Sequence, residues 1–212
     1  MGSTAMVAPI SSRSPGIYRA NVSQGIRQVV LSRNRNGKYG LRLRSINKGI
    51  FVQFVADGSP AAAAGVRFGD QILRINDVEV VGMSHDKAMN LMTKSKDPDN
   101  LMITLRDRPF ERAIVLHKDA NGQLGFSHRD NLITGIMKES SASRNGLIIN
   151  QRILEVDGRN VIGYNTKEVK ACIDENPDSV TLTIMSAEMY DEMLRKMDWS
   201  LVKKQDHSIP DV

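Results

Sequence analysis

Short segments in which apolar residues alternate with polar ones, or form brief runs, predict that this chain consists mainly of β-strands. In the first half these segments lie at 27–32, 41–45, 50–55, 71–75 and 101–106, with turn sequences such as Asn36-Gly37 between them. Two helices are predicted among the strands: a short one at 59–64, with Pro60 in its first turn, and a longer one at 84–95 that opens on Ser84. Helices at 140–144 and 166–174 repeat this arrangement in the second half.

The order of these elements reflects an internal repeat. The sequence Asn-Gly-Lys-Tyr-Gly-Leu at 36–41 returns as Asn-Gly-Gln-Leu-Gly-Phe at 121–126, an offset of 85 residues (121 − 36). Further along, Gly65-Val66 matches Gly146-Leu147 at an offset of only 81 (146 − 65). Because four residues are dropped within one stretch, we expect a shorter surface hairpin in the second copy.

The length of 212 residues suits two domains that each bury a modest core. We expect an amino-terminal tail at 1–25, whose first residues are compatible with a cloning remnant, and a first domain at 26–107. A short linker at 108–111 then leads to a second domain at 112–186, and a helical tail follows at 187–212. Within that tail, a helix from Ala187 to about Met197 carries an apolar stripe, which we interpret as a packing face.

Composition and charge exclude several classes of protein. The 41% of hydrophobic and 25% of charged residues are ordinary for a globular protein, and no apolar stretch is long enough to span a bilayer. A single cysteine, Cys172, rules out an internal disulfide and favours a reducing, intracellular compartment. The net charge of +5 permits anionic partners without selecting one.

No recognisable catalytic or cofactor motif occurs in the chain. The four histidines have no metal-binding spacing, and the phosphate-binding loop, the dinucleotide fingerprint and the Gly-x-Ser-x-Gly elbow are all missing. We therefore expect no enzymatic activity, no metal and no cofactor. Nucleic acid is not expected as a partner either, because aromatic residues, the usual stacking platforms, make up only 5% of the chain.

The repeated loop resembles the carboxylate-binding loop of the PDZ family. It is Lys38-Tyr39-Gly40-Leu41 in the first copy and Gln123-Leu124-Gly125-Phe126 in the second, and each is followed by a Ser-x-Ala helix start and an Ile-Leu strand. The resemblance implies two tandem PDZ domains that are mainly β with two helices each (α+β). Each would be a five- to six-stranded, partly open antiparallel β-barrel or sandwich, capped by one short and one long helix.

In such a domain a partner's carboxyl terminus adds a strand to the sheet, and backbone N–H groups of the loop hold the carboxylate. The resemblance implies carboxylate-binding loops formed by Lys38, Tyr39, Gly40, Leu41, Gln123, Leu124, Gly125 and Phe126. It implies peptide grooves lined by Arg42, Leu43, His85, Met89, Met92, Ser127, His128, Thr166, Lys170 and Ile173. His85 is expected to bond a Ser or Thr two residues before the ligand's end, whereas Thr166 at the matching position predicts broader specificity.

The segments 106–112 and 207–212 resemble one group of tandem-PDZ scaffold proteins. That likeness implies C-terminal tails of transmembrane proteins such as syndecans as partners, and phosphoinositide headgroups as membrane ligands. The basic residues expected to bind headgroups are Lys38, Lys118, Arg129, Lys167 and Lys170. It further implies a cytoplasmic location at the inner face of the plasma or endosomal membrane and leaves a homodimer open. The alternative is a basic lipid- or nucleic-acid-binding module that does not capture carboxylates.

Overall fold

The computed structural model describes residues 25–209. The tail predicted at 1–25 therefore lies almost entirely outside the described residues, as does the end of the chain at 210–212. The described residues form twelve strands and six helices. No helix among them is both long and apolar enough to cross a membrane.

The first domain contains six strands and two helices. The strands are β1 (Ile26–Leu31), β2 (Leu41–Ile46), β3 (Gly49–Val55), β4 (Gln71–Ile75), β5 (Val78–Glu79) and β6 (Leu101–Arg106); the helices are α1 (Pro60–Ala63) and α2 (His85–Thr93). They form one antiparallel sheet in the order β1-β6-β4-β3-β2, with β5 beside β4. The predicted strands and helices are confirmed here, except that the two-residue β5 was not expected.

The second domain repeats this topology. Its strands are β7 (Arg112–His117), β8 (Phe126–Arg129), β9 (Leu132–Ile136), β10 (Gln151–Val156), β11 (Arg159–Asn160) and β12 (Ser179–Ser186); its helices are α3 (Ser141–Arg144) and α4 (Thr166–Asp174). The sheet order β7-β12-β10-β9-β8, with β11 beside β10, matches the first sheet strand for strand. As a result, β2 and β8 occupy the same edge position in their respective sheets.

The β2–β3 and β8–β9 hairpins account for the change in repeat offset. In the first domain the hairpin strands have six and seven residues, and the turn places Asn47 and Lys48 at positive φ, as a two-residue hairpin turn requires. In the second domain the strands have only four and five residues. The predicted shortening of the second hairpin is thus confirmed.

Serine side chains fix where the helices begin. Ser59, Ser84 and Ser140 each accept a hydrogen bond from a backbone N–H in the first turn of the following helix. Asn165 does the same for α4 and forms a capping box with Glu168. These caps place α2 and α4 so that each flanks an edge strand, and the groove lies between helix and strand.

Each domain has its own apolar core, and a third cluster joins the domains. It combines Ile46, Phe51 and Phe68 of the first domain with Leu154, Ile162 and Met185 of the second, and with Tyr190, Met193 and Val202 of the carboxyl-terminal segment. That segment holds α5 (Ala187–Leu194) and α6 (Trp199–Val202). The predicted packing face is confirmed, although α5 ends three residues before Met197 and α6 was not expected.

Charged groups buried between the domains surround the connection from β6 to β7. Arg108 and Glu111 are each only 3% exposed, and the Arg108 guanidinium lies 2.8 Å from a carboxylate oxygen of Glu155 in β10. The other oxygen of Glu155 lies 3.2 Å from Arg67 of the first domain. Burial raises the pKa of Asp70 to about 6 against the effect of Arg27, and it raises the pKa of Glu111. The ion pairs of Glu155 with Arg108 and Arg67 thus attach the connection to both domains.

The end of the described chain binds the part of β3 that β4 leaves unpaired. Strand β4 pairs with β3 only at Ile50 and Phe51. At the other end of β3, Gln205 forms a bridge with Ala56, its side chain accepts the N–H of Val55 at 3.4 Å, and Asp206 donates its N–H to the Val55 carbonyl at 2.9 Å. The carboxyl-terminal segment therefore binds to the end of β3 in the first domain, and it also contacts the second domain.

Candidate peptide-binding grooves

Each predicted carboxylate loop follows a turn of the same kind, in which an Asn or Asp side chain accepts two backbone N–H groups. In the first loop the Asn34 side chain accepts the N–H groups of Asn36 and Lys38, at 3.0 and 2.9 Å. In the second, Asp119 accepts those of Asn121 and Gln123, both at 2.9 Å. Asn34 and Asp119 were not among the predicted site residues, although an Asn or Asp two residues before Asn-Gly in both copies was a usable signal.

A glycine lies at the centre of each loop, in the left-handed region. Gly40 has φ +83° and Gly125 has φ +85°. A Cβ atom on Gly40 would lie 2.1 Å from Cβ of Ser59, and one on Gly125 would lie 2.0 Å from Cβ of Ser140. Only glycine fits at these two positions, because any side chain would overlap the serine that caps the next helix.

Hydrogen bonds orient the loop backbone toward the groove. The carbonyls of Tyr39 and Gly40 accept the N–H groups of Ala61 and Ala56, at 3.0 and 2.7 Å. In the second domain the carbonyls of Leu124 and Gly125 are bonded in the same way, to Ala142 and Met137. Within residues 25–209 the N–H groups of Tyr39, Gly40, Leu124 and Gly125 donate to no other group. Each loop thus presents consecutive N–H donors, an arrangement that suits a carboxylate.

The first groove opens into a cleft of about 790 Å³ beside the Lys38–Leu41 loop. Of the predicted residues, this cleft is lined by Lys38, Tyr39, Gly40, Leu41, Arg42, Met89 and Met92. Leu43, a core residue that is 3% exposed, is not among the residues that line it. Tyr39 is fixed by a 3.0 Å hydrogen bond from its hydroxyl to the carbonyl of Pro98.

His85 lies at the start of α2, away from the carboxylate loop. Its side chain is 41% exposed, and Nδ1 lies 3.4 Å from the Ser45 hydroxyl of β2. The ring therefore bridges the helix and the edge strand at the far end of the groove. This position is compatible with the predicted contact to a ligand residue upstream of the terminus.

The second groove has a cleft of about 510 Å³. The predicted residues that line it are Gln123, Leu124, Gly125, Phe126, Ser127, His128, Lys170 and Ile173. Thr166 lies outside this cleft and is hydrogen-bonded to Asp130, whose N–H it accepts at 2.8 Å. Lys170 forms an ion pair with Asp174, one turn further along α4.

The basic residues predicted to bind headgroups occupy different settings. Arg129 and Lys167 are exposed near the second groove, and Lys38 is exposed on the rim of the first. Lys118 is half-buried and donates to the carbonyl of Asn176 at 2.6 Å. Lys118 and Lys170 each already have a partner within the chain, so Lys38, Arg129 and Lys167 are the most accessible of the set.

Several residues that line the first cleft come from the carboxyl-terminal segment, for which the sequence predicted an apolar packing face but no wall of a groove. They are Leu201, Lys203, Lys204, Gln205 and His207. No residue of this segment, as far as the described chain extends, lines the second cleft. No local pattern indicated this contact, because it depends on how the two domains and the tail pack together.

The described residues provide no inorganic site. Among positions 25–209, no group of three His, Cys, Asp or Glu side chains is placed to hold a metal ion. Cys172 is buried in α4, and burial raises the pKa of its thiol.

Comparison with known proteins agrees with this geometry. A PDZ domain model matches residues 28–106, and a second PDZ domain model matches residues 132–185. The chain is 45% identical over 208 residues to syntenin-1 of Homo sapiens, which covers 98% of this chain and 70% of that protein. The chain belongs to the syntenin family of tandem-PDZ proteins. The predicted fold of two tandem PDZ domains is confirmed.

Two further relatives differ in how much of this chain they match. Syntenin-2 of Mus musculus is 41% identical over 207 residues, which is 97% of this chain and 70% of that protein. Amyloid-beta A4 precursor protein-binding family A member 1 of Homo sapiens is 25% identical over 148 residues, 69% of this chain and 18% of that protein. Binding of protein carboxyl termini is the activity that membership of the syntenin family and its two PDZ domains support.

Proposed function

We propose that this syntenin relative is a non-enzymatic adaptor that binds the C-terminal tails of transmembrane receptors, syndecan-type tails among them, in two grooves. The observation that supports it most directly is the pair of consecutive N–H donors in each loop, next to an edge strand. An extended peptide that pairs with β2 or β8 reaches these donors with its terminal carboxylate. The backbone supplies affinity that does not depend on sequence, and the cleft beside it receives the last side chain.

The test compares a syndecan-type peptide as free acid with the same peptide as C-terminal amide. Each is titrated into ¹⁵N-labelled protein while the backbone amide shifts of Gly40 and Gly125 are followed separately. We expect the free acid to bind with micromolar affinity and to shift one or both glycine amides, and the amide to bind at least tenfold more weakly. Equal binding of acid and amide would exclude carboxylate capture and favour the basic lipid- or nucleic-acid-binding alternative.

We further propose that phosphoinositide headgroups recruit the protein to the inner face of the plasma or endosomal membrane, where it acts in receptor trafficking and signalling. The accessible cations Lys38, Arg129 and Lys167 support this part of the proposal, since anionic headgroups are attracted to exposed positive charge. A fixed arrangement of the two grooves would let two receptor tails on one membrane bind together and gain avidity. Whether the protein forms a homodimer stays a prediction.

Vesicle sedimentation tests this second part. Phosphatidylcholine vesicles with and without phosphatidylinositol bisphosphate are mixed with the wild-type protein, with an Arg129→Gln/Lys167→Gln variant, and with a Lys48→Gln/Lys87→Gln control that removes the same charge from exposed sites elsewhere. We expect lipid-dependent binding that the first variant weakens several-fold and the control preserves. An equal loss in both variants would show attraction by net charge alone.

A further inference from the structure

The carboxyl-terminal segment adds a wall to the first groove, whereas none of its residues up to 209 lines the second. This wall consists of Leu201, Lys203, Lys204, Gln205 and His207. Hydrogen bonds hold it in place: the Gln205 side chain accepts the N–H of Val55, Asp206 donates its N–H to the Val55 carbonyl, and the Asn160 side chain donates to the Asp206 carbonyl at 2.8 Å. His207 contacts the Asn160 carbonyl at 2.7 Å and packs against the ring of Tyr164.

This wall covers one particular face of the edge strand. Arg42 is directly opposite Phe54 across the β2–β3 ladder, so their side chains share a face, whereas Leu41 and Leu43 point into the core from the other face. Arg44, two residues after Arg42, forms a 3.3 Å ion pair with Glu192 of α5. The carboxyl-terminal segment therefore lies on the Arg42 face, alongside the open edge of β2.

A peptide that adds to β2 presents its side chains alternately to the two faces. If its last side chain enters the apolar pocket at Leu41, Met89 and Met92, its penultimate side chain points to the Arg42 face. There it meets the end of the cleft formed by the carboxyl-terminal wall. The penultimate residue of the ligand can therefore reach side chains that follow both PDZ domains in the sequence.

The charges on this face are predominantly positive. Lys38, Arg42, Lys203 and Lys204 line the cleft with exposed side chains, and Asp57 is the acidic residue among those that line it. An acidic side chain next to the ligand's terminus complements this charge, while a basic one does not. In the second cleft, by contrast, the lysine that lines it is already paired with Asp174.

We propose that the carboxyl-terminal segment is the specificity wall of the first groove, where Lys203 and Lys204 select ligands with an acidic penultimate residue. The inference rests on the proposed function, since it assumes that a peptide carboxylate occupies the Lys38–Leu41 loop. It deepens that function by assigning side-chain selectivity to a segment outside either PDZ domain. The second groove then serves as a control within the same molecule.

The test uses two peptides that differ only in the penultimate residue, ending in Thr-Glu-Phe or Thr-Gln-Phe, each as free acid and as amide. They are titrated into wild-type protein, a Lys203→Gln/Lys204→Gln variant, and a Lys48→Gln/Lys138→Gln control of equal net charge, whose two lysines are exposed and outside both clefts. The amide shift of Gly40 reports the first groove and that of Gly125 the second. Thermal melting confirms that the exposed substitutions leave the fold intact.

We expect the first groove of the wild-type protein to bind the glutamate peptide about three- to tenfold more tightly than the glutamine peptide at low salt. The ratio should approach one in the Lys203/Lys204 variant and persist in the control, with affinity for the glutamine peptide nearly unchanged. Equal affinities in the wild type, or a ratio that survives the double substitution, overturn this inference alone. If neither free acid shifts Gly40 or Gly125, or acids and amides bind alike, the proposed function itself fails.

Discussion

The first and second grooves can be compared almost atom by atom at their loops. Gly40 and Gly125 have nearly the same positive φ, +83° and +85°, and each lies against a serine that caps the following helix. The walls differ: the first groove has His85 at its far end and the carboxyl-terminal segment at its mouth. The second has Thr166 in place of the histidine, and no carboxyl-terminal residue up to position 209 lines its cleft. We therefore expect carboxylate binding to depend on the loop backbone that the two grooves share, and selectivity to depend on the side chains that surround each cleft.

The largest effect should come from the buried ion pairs that link the two domains. We expect Glu155→Ala to lower the free energy of unfolding by about 3–5 kcal/mol, because it leaves Arg108 buried with fewer partners. Glu175→Ala, which removes an exposed ion pair with Arg159, should cost less than about 1 kcal/mol. Chemical denaturation measures both variants.

Hydrogen exchange on the same Glu155→Ala variant localises the damage. We expect the amides of Gln205 and Asp206, at the mouth of the first groove, to exchange faster while those of β8 and β9 change little. Uniformly faster exchange throughout the chain would mean that the cluster stabilises both grooves equally, and the contrast between them would be weakened.

The next largest effect should come from replacing the loop glycine of one groove at a time, which changes the peptide affinity of that groove alone. Gly40→Ala should weaken the first groove at least tenfold and leave the second unchanged, and Gly125→Ala should do the reverse. The reason is the overlap of the new Cβ with Ser59 or Ser140, added to the strain of a left-handed alanine.

Gly37→Ala and Gly122→Ala are the matched controls for these variants. They have the same sign of φ, but no atom lies within 4 Å of their added Cβ. Calorimetric titration with the free-acid peptide measures all four. Similar losses in the controls would point to backbone strain in the loop, rather than the contact with the serine, as the cause.

The smallest effect concerns His85. His85→Ala should reduce the preference of the first groove for Thr over Val two residues before the ligand's end by about two- to tenfold, the value of one hydrogen bond. Thr166→Ala should barely change that preference in the second groove, since Thr166 is bonded to Asp130. Competition assays with the Thr and Val peptides measure both, and an unchanged preference in His85→Ala would remove the histidine from the site.

Local features made most of the fold predictable from sequence. The Asn-Gly turns, the cap serines and the apolar alternation each act over a few residues, so the strands, the four domain helices and the shortened hairpin followed from them. The loop glycines were predictable for the same reason. The two-residue strands β5 and β11 were not, because so short a segment carries no periodicity.

Features that depend on tertiary packing were less accessible. The apolar stripe of α5 predicted a packing face but not its partners, Ile46, Phe51 and Phe68 in the first domain. The carboxyl-terminal wall of the first groove escaped prediction because Gln205 bonds to Val55, which is 150 residues away in the chain. Leu43 was expected in the groove, yet alternation alone does not distinguish a groove-lining side chain from one beneath it.

The carboxyl-terminal segment also bears on how such proteins are inherited. Its last described residues bond to Val55 in one PDZ domain and to Asn160 in the other. A gene rearrangement that exchanged either domain alone would leave those bonds without partners and expose the shared cluster around Tyr190 and Met193. We expect evolution to have passed on the two domains and their trailing segment as one block, unlike PDZ domains that are shuffled singly between proteins.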